Sequence, residues 1–413
     1  MDKIRLKNFR DAMKTAAASL VDSPFREITL VHHNDTDGIT SGAILRQSLM
    51  RAGFATENIP IERVHPAFLP AIHTPERRLI LYADLGGQAA DVISRHIPDG
   101  SRVMILDHHL PAEGSFPRLL QVNPEQFGID GDRECAAAAV ACCFALALSG
   151  EYEDLAALAV LGAVGDHQMA EGRCDGLNGF LLKMAVRNGD LIPGCADAAN
   201  PYLFPRFQNR NLQEADQFLS ALAVNGYYRR GADLALDACL KGPDDRALAF
   251  SVELAGIQRE RFGRELTRIH RTGLGRDGEI VWTDVEDRFY PLGLKAIGLF
   301  CEEIIRDGAA DGDHYVVGFQ RFPGENPYLG RFSGRETKVS FRVTPGLKCS
   351  IERGERPDLM RLVPQAVHQV GGFAEACHRF AAGCTIPEER KTDLIRLLSD
   401  IATECSSAGL TAS

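Results

Sequence analysis

Four short clusters of aspartate and histidine stand at the ends of apolar runs: HNDTDG at 33–38, YADLGG at 82–87, ILDHHLP at 105–111 and VGDH at 164–167. Carboxylate oxygen and imidazole nitrogen suit hard divalent cations better than thiolate metals. Asp35, Asp37, Asp84, Asp107 and Asp166 gathered in one place would repel strongly unless cations sat between them. Two cations about 3.5–4 Å apart supply a distinct chemistry, activating water and neutralising phosphoryl oxygens as charge builds. No side-chain nucleophile stands out beside them. The residues therefore point to metal-dependent hydrolysis of a phosphate ester or phosphoanhydride.

Strands and helices must bring these clusters together. The runs ITLV at 28–31, LILY at 79–82 and VMIL at 103–106 read as buried parallel strands, apolar without alternation. Helix-forming stretches separate them, so their carboxyl ends should share one rim, where open α/β sheets bind ligands. Residues 119–124 read as a further strand and turn, and 135–148 and 151–164 as buried helices, the second leading into VGDH. His32 adjoins His33, so in an extended strand it faces the other way and is taken as packing. His167 is a weaker candidate beside Asp166.

Past residue 172 the pattern turns helical, with helices expected over 212–225, 231–240 and 247–270. After Gly273 it becomes mixed, with strands at 280–282, 314–319 and 338–343 and helices at 357–370 and 387–403. The expected fold class is α/β: a parallel-sheet N-terminal domain over 1–190, a helical connector over 191–275, and a smaller mixed α/β C-terminal domain over 276–413. The active site is expected in the cleft between the domains.

A net charge of −10 argues against tight, non-specific grip on long nucleic acid, whose phosphates dominate affinity. Arg261, Arg264 and Arg268 fall on one helical face and could track a phosphate backbone. Glu260 and Glu265 lie among them, and a solvated face is the commoner explanation. No apolar run reaches the roughly 18 residues needed to span a bilayer, and the N-terminus lacks a signal-peptide core. The cysteines are scattered and form no C-x-x-C pair, so neither a disulfide framework nor a zinc knuckle is indicated. A reduced cytoplasm and no membrane partner are expected.

Taken together, these motifs resemble the DHH phosphoesterase superfamily, named for the sequence present here as Asp107-His108-His109. The resemblance implies that His33 and Asp35 bind one divalent ion, that Asp37, His108 and Asp166 bind a second, and that Asp84 bridges them. It implies Mn2+ or Mg2+ as the cofactor pair. Asp107 and His109 then act beside the metals, His109 contacting the phosphate or protonating the leaving oxygen.

Residues 338–343 alternate, with Val339, Phe341 and Val343 on one face and Ser340 and Arg342 on the other. GGFAEACHRFAAG at 371–383 resembles the glycine-rich motif of the DHH-associated C-terminal domain, GGH-x-x-AAG. Here Gly371 and Gly372 are separated from His378 by five inserted residues, 373–377. Close glycines with a histidine and an arginine suit an anion, so Arg342, Gly371, Gly372 and His378 are the candidate substrate-binding residues.

The H-x-D-x-D form of the first motif resembles RecJ-type nucleases and oligoribonucleases more than pyrophosphatases of this superfamily. No added oligonucleotide-binding fold is evident. The expectation is a phosphodiesterase releasing nucleoside monophosphates from short single-stranded oligonucleotides, with a homodimer as an option. The alternatives are a RecJ-type exonuclease on longer strands, a cyclic-dinucleotide or polyphosphate hydrolase, and a non-catalytic RecJ-like scaffold. The scaffold is disfavoured because every expected ligand position holds a suitable side chain.

Overall fold

The computed structural model describes residues 3–194 and 201–409. The chain forms two compact units, Met1–Val252 with Pro327–Leu329, and Glu253–Asn326 with Gly330–Ser413.

The first unit is built on a five-stranded parallel sheet. Its elements in chain order are α1 (Lys3–Val21), β1 (Glu27–His33), α2 (Thr36–Arg51), β2 (Ala55–Ile61), α3 (Leu69–Ile72), β3 (Leu79–Ala83), α4 (Ala90–Ser94), β4 (Arg102–Leu106), β5 (Leu119–Val122), α5 (Ala137–Leu148), α6 (Ala156–Gly165) and α7 (Gly176–Arg187). The strand order is β2-β1-β3-β4-β5. Because β3 is buried at every position, it can be apolar throughout, as its sequence suggests. All strands run the same way, so Asp84 follows β3 and Asp107 follows β4 on the rim where β1 delivers His33.

Small residues let the helices α2, α5 and α6 approach closely. A methyl group on Gly162 of α6 would lie 2.4 Å from the Ala138 Cβ of α5 and 2.4 Å from an Asp37 oxygen of α2. Such contacts are impossible in a packed interior, so glycine is required where the three helices meet. His32 is fully buried against Gly42, and burial brings its pKa down to about 4. It is a packing residue, as its place in the strand suggests.

Residues 201–252, part of the stretch expected as a connector over 191–275, group with this first unit. They contribute α8 (Leu212–Ser220), a π-helical turn (Ala221–Asn225) and α9 (Gly231–Lys241). The Asn34 amide donates to Ala223 O at 3.1 Å, the Thr36 hydroxyl to Asp216 at 2.6 Å and the Tyr227 hydroxyl to Pro60 O at 3.0 Å. Their apolar side chains, among them Phe207, Leu219 and Tyr227, are buried. The unit boundary falls within the next helix, α10 (Asp245–Thr272).

The second unit contains β6 (Gly275–Asp277), β7 (Ile280–Asp284), α11 (Ala296–Asp307), β8 (Tyr315–Arg321), β9 (Glu336–Val343), α12 (Pro345–Glu352), α13 (Leu359–Gln369), β10 (Phe373–Cys377), β11 (Ala381–Pro387) and α14 (Lys391–Gly409). The strands form one mixed sheet, β6-β7-β8-β9-β11-β10, in which only β7 and β8 pair in parallel. Val317, Phe319, Val339 and Phe341 face a core shared with α12, α13 and α14, while Val281 and Val316 face one shared with α11 and Phe262 of α10.

Candidate metal centre

His33 ends β1, and Asp35 caps α2 by accepting the Gly38 N–H at 3.0 Å. The imidazole Nδ1 of His33 lies 3.1 Å from Asp35 Oδ2 and 3.3 Å from Asp84 Oδ2, while its Nε2 reaches Glu62 O at 3.1 Å. A carbonyl can only accept, so Nε2 donates to Glu62 O, which fixes the ring with Nδ1 facing the two carboxylates. The carbonyl sits just past β2, a strand whose polar sequence ATENIPI gives little apolar signal.

Asp37, the second residue of α2, is buried. Its two oxygens accept the backbone N–H groups of Ala137 and Ala138 at 2.8 and 2.9 Å. These are the first two residues of α5, whose orphan donors and positive dipole end suit a carboxylate. Burial, together with Asp84 and Asp166 nearby, nevertheless holds the Asp37 pKa well above the usual carboxylate range. Cys135, just before the Ala136 N-cap, is fully buried, and burial pushes its thiol pKa up.

His108 is buried, with Nδ1 on Gly131 O at 2.7 Å. The opposite nitrogen, Nε2, faces Asp84 Oδ1 at 3.4 Å, Asp166 Oδ2 at 3.8 Å and Asp37 Oδ2 at 4.0 Å, and no hydrogen bond satisfies it. Burial works to lower its pKa, but Asp166, Asp84 and Asp37 outweigh this and raise it. Gly131 has no room for a side chain, since a Cβ there would lie 2.1 Å from His108 O.

Asp107 is held differently. Its Oδ2 accepts the Gly87 N–H at 2.8 Å, and its Oδ1 accepts the His108 N–H at 2.8 Å and lies 2.8 Å from His109 Nδ1. Burial would raise its pKa, yet the neighbouring His109 and His108 and the Gly87 N–H keep it below the ordinary value. Burial also opposes charge on His109, but Asp107 wins and its pKa is raised. Asp107 thus orients His109 more than it offers itself to an ion.

The donors fall into overlapping groups: His33, Asp35 and Asp84; Asp37, His108 and Asp166; and Asp84, Asp107, His108 and His109. Within each group the donor atoms lie within 4.8 Å of one another. Asp84 turns one oxygen to His33 and the other to His108. The orphaned, buried Nε2 of His108 and the convergence of Asp37, Asp84 and Asp166 fit a pair of divalent cations. His167 is exposed and stands apart from these sets.

The C-terminal candidates are only partly brought together. Residues 373–377, an insertion by the spacing of the glycines, are the strand β10, paired with β11. Gly371 and Gly372 precede that strand and His378 follows it, so they lie at opposite ends of a segment about 17 Å long. Arg342 pairs with Ala381, whose carbonyl accepts the His378 N–H at 2.8 Å, so those two share one end of the sheet. The guanidinium of Arg342 binds Glu302 at 2.7 Å. Of the arginine stripe on α10, Arg264 pairs with Glu260 and Arg268 with Glu265.

These features define a DHH-type domain, and residues 27–164 match the family model of the DHH family, N-terminal domain. The chain carries that domain on a RecJ-like fold. RecJ of Thermus thermophilus in complex with Mn2+ aligns with a TM-score of 0.63 at 19% identity, over 95% of this chain and 55% of that one. The DHH domain of a member of the s1p family of ribosomal proteins aligns with a TM-score of 0.65 at 15% identity, over 97% and 92%. An uncharacterized protein of Methanocaldococcus jannaschii is 31% identical over 188 residues, 44% of this chain and 41% of that protein. The chain therefore matches under half the length of that curated relative. At these identities the solved structures establish the fold alone. No helix among the described residues is long and apolar enough to cross a membrane.

Proposed function

We propose that this chain is a Mn2+- or Mg2+-dependent phosphodiesterase that cleaves short single-stranded oligonucleotides to nucleoside monophosphates. One observation carries the reading: two three-donor groups, His33/Asp35/Asp84 and Asp37/His108/Asp166, meet at a single carboxylate, that of Asp84. Two cations held there would activate water and offset charge on the phosphoryl oxygens. The side chains have separable tasks. Asp84 divides its oxygens between the groups. The α5 N-terminus fixes both oxygens of Asp37, and Gly131 O fixes the ring of His108. His109, oriented by Asp107 and with its pKa raised, is suited to donate a proton to the leaving oxygen. The oligonucleotide preference rests on the H-x-D-x-D motif, on the RecJ-like fold, and on an acidic net charge that suits long strands poorly.

A substrate panel tests it. The purified protein, supplied with Mn2+, is incubated with dinucleotides, longer oligomers, cyclic dinucleotides, pyrophosphate and polyphosphate. The expected outcome is fastest release of monophosphates from oligomers of a few nucleotides. Preferential hydrolysis of pyrophosphate or polyphosphate would move the activity elsewhere in the phosphoesterases. A protein that takes up no Mn2+ would leave only a non-catalytic role.

A further inference from the structure

Gln168 lies two residues beyond Asp166 and is buried, as is Asn178 at the start of α7. Gln168 Nε2 contacts Asp166 Oδ2 at 2.6 Å and Gly131 O at 2.7 Å. Its Oε1 accepts from Asn178 Nδ2 at 2.7 Å, and Asn178 Oδ1 accepts the Ala136 N–H at 3.1 Å. The direction of this chain of bonds is forced. A backbone N–H can only donate, so the Asn178 oxygen must face Ala136 and its NH2 must face Gln168. The Gln168 NH2 must then spend both hydrogens on Asp166 and Gly131.

Each end of the relay meets the same donor group. Gly131 O also receives His108 Nδ1, and Ala136 caps the helix whose next two N–H groups hold Asp37. Asp37, His108 and Asp166 are thus all oriented by one amide pair. His33 is held separately, by Glu62 O, and Asp35 by the Gly38 N–H.

We propose that Gln168 and Asn178 are positioning residues that set the affinity of the Asp37/His108/Asp166 ion site and leave the His33/Asp35 site largely untouched. This rests on the metal reading given above. Gln168→Glu replaces two donated hydrogens with a carboxylate facing Asp166. Asn178→Asp keeps the bond from Ala136 but can no longer donate to Gln168, whose amide is then free to turn over and present oxygen to Asp166.

The full-length protein and both variants are titrated with Mn2+, counting bound ions by the EPR signal of free Mn2+. Thermal unfolding in EDTA is measured alongside. The expected result is two ions on the wild type, with one step weakened about 10- to 100-fold in each variant and the other within about threefold, as loss of an outer partner of a metal ligand produces. The EDTA melting temperature of Asn178→Asp should stay near that of the wild type, which separates positioning from general destabilisation. If Gln168→Glu does not fold, Asn178→Asp must show the selective loss by itself. Equal weakening of both steps, or no change in either, overturns the relay while leaving the metal reading standing. A wild type that binds no Mn2+ removes both.

Discussion

Asp84 occupies the left-handed backbone region, φ 61°, at the end of β3, and its N–H donates to Leu106 O. Asparagine tolerates that conformation better than other residues of its size. Asp84→Asn is therefore expected to preserve the backbone while removing charge from both donor groups. Phosphodiesterase activity should fall by several orders of magnitude, and bound Mn2+ should fall with it. Near-normal activity and metal content would mean the two groups do not share a ligand. His73 illustrates a residue whose titration concerns stability alone. It is buried, its Nε2 lies 2.8 Å from the Tyr82 hydroxyl, and burial, aided by His96 and Arg77, lowers its pKa to about 4 from 6.5. The folded pKa lies below the unfolded value, so the unfolded chain binds more protons between them. Stability is complete above the unfolded value and is lost as pH falls toward the folded one, at up to ~1.4 kcal/mol per pH unit. Urea midpoints at pH 7 and pH 5 should differ less in His73→Gln than in the wild type.

At the level of elements, the N-terminus of α5 gives the sharpest test. Ala136, the N-cap, is extended with φ −67° and ψ 164°, which suits a residue before proline. Ala137 is the first helical position, where proline is tolerated. Ala137→Pro should therefore keep α5 helical by circular dichroism yet delete one of the two N–H groups on Asp37, weakening Mn2+ binding. Unaltered binding would show that the helix end does not hold the carboxylate. The motifs on β1, β3 and β4 are legible in sequence because acidic and imidazole groups there interrupt unbroken apolar runs. Other parts of the site leave no such mark. Glu62 acts through its carbonyl, which any residue supplies, and β2 is too polar to stand out. Gln168 and Asn178 are ordinary polar residues until the fold joins them. The same limit explains β10: a short strand between two turns reads as an insertion when only the glycine spacing is used. Residues 201–252 read as part of a connector because their burial depends on long-range partners such as Pro60 and Asn34.

For the whole molecule, net charge bears on the proposed preference for short substrates. The chain carries a net −10, and Arg264 and Arg268 of α10 are already paired with glutamates. Binding energy should come from the few nucleotides nearest the metal donors. The rate per molecule should be highest for oligomers of a few nucleotides, and a plot of log affinity against log salt should have a shallow slope, equivalent to about two neutralised phosphates or fewer. Processive digestion of long strands with a steep salt slope would favour a RecJ-type repair exonuclease.

The thiol of Cys135 turns the α5 N-terminus into a built-in reporter. It is fully buried beside the helix end that holds Asp37, while Cys349 is exposed. An alkylating reagent should modify Cys349 at once and reach Cys135 only when this corner of the first unit opens. Ions that bind the closed form suppress opening by mass action, so Mn2+ at about a hundred times its Kd should slow Cys135 labelling about 100-fold. Labelling of Cys349 should not change. Site-resolved mass spectrometry would then measure metal binding with no substrate present, and indifference of Cys135 to Mn2+ would separate the helix end from the ion.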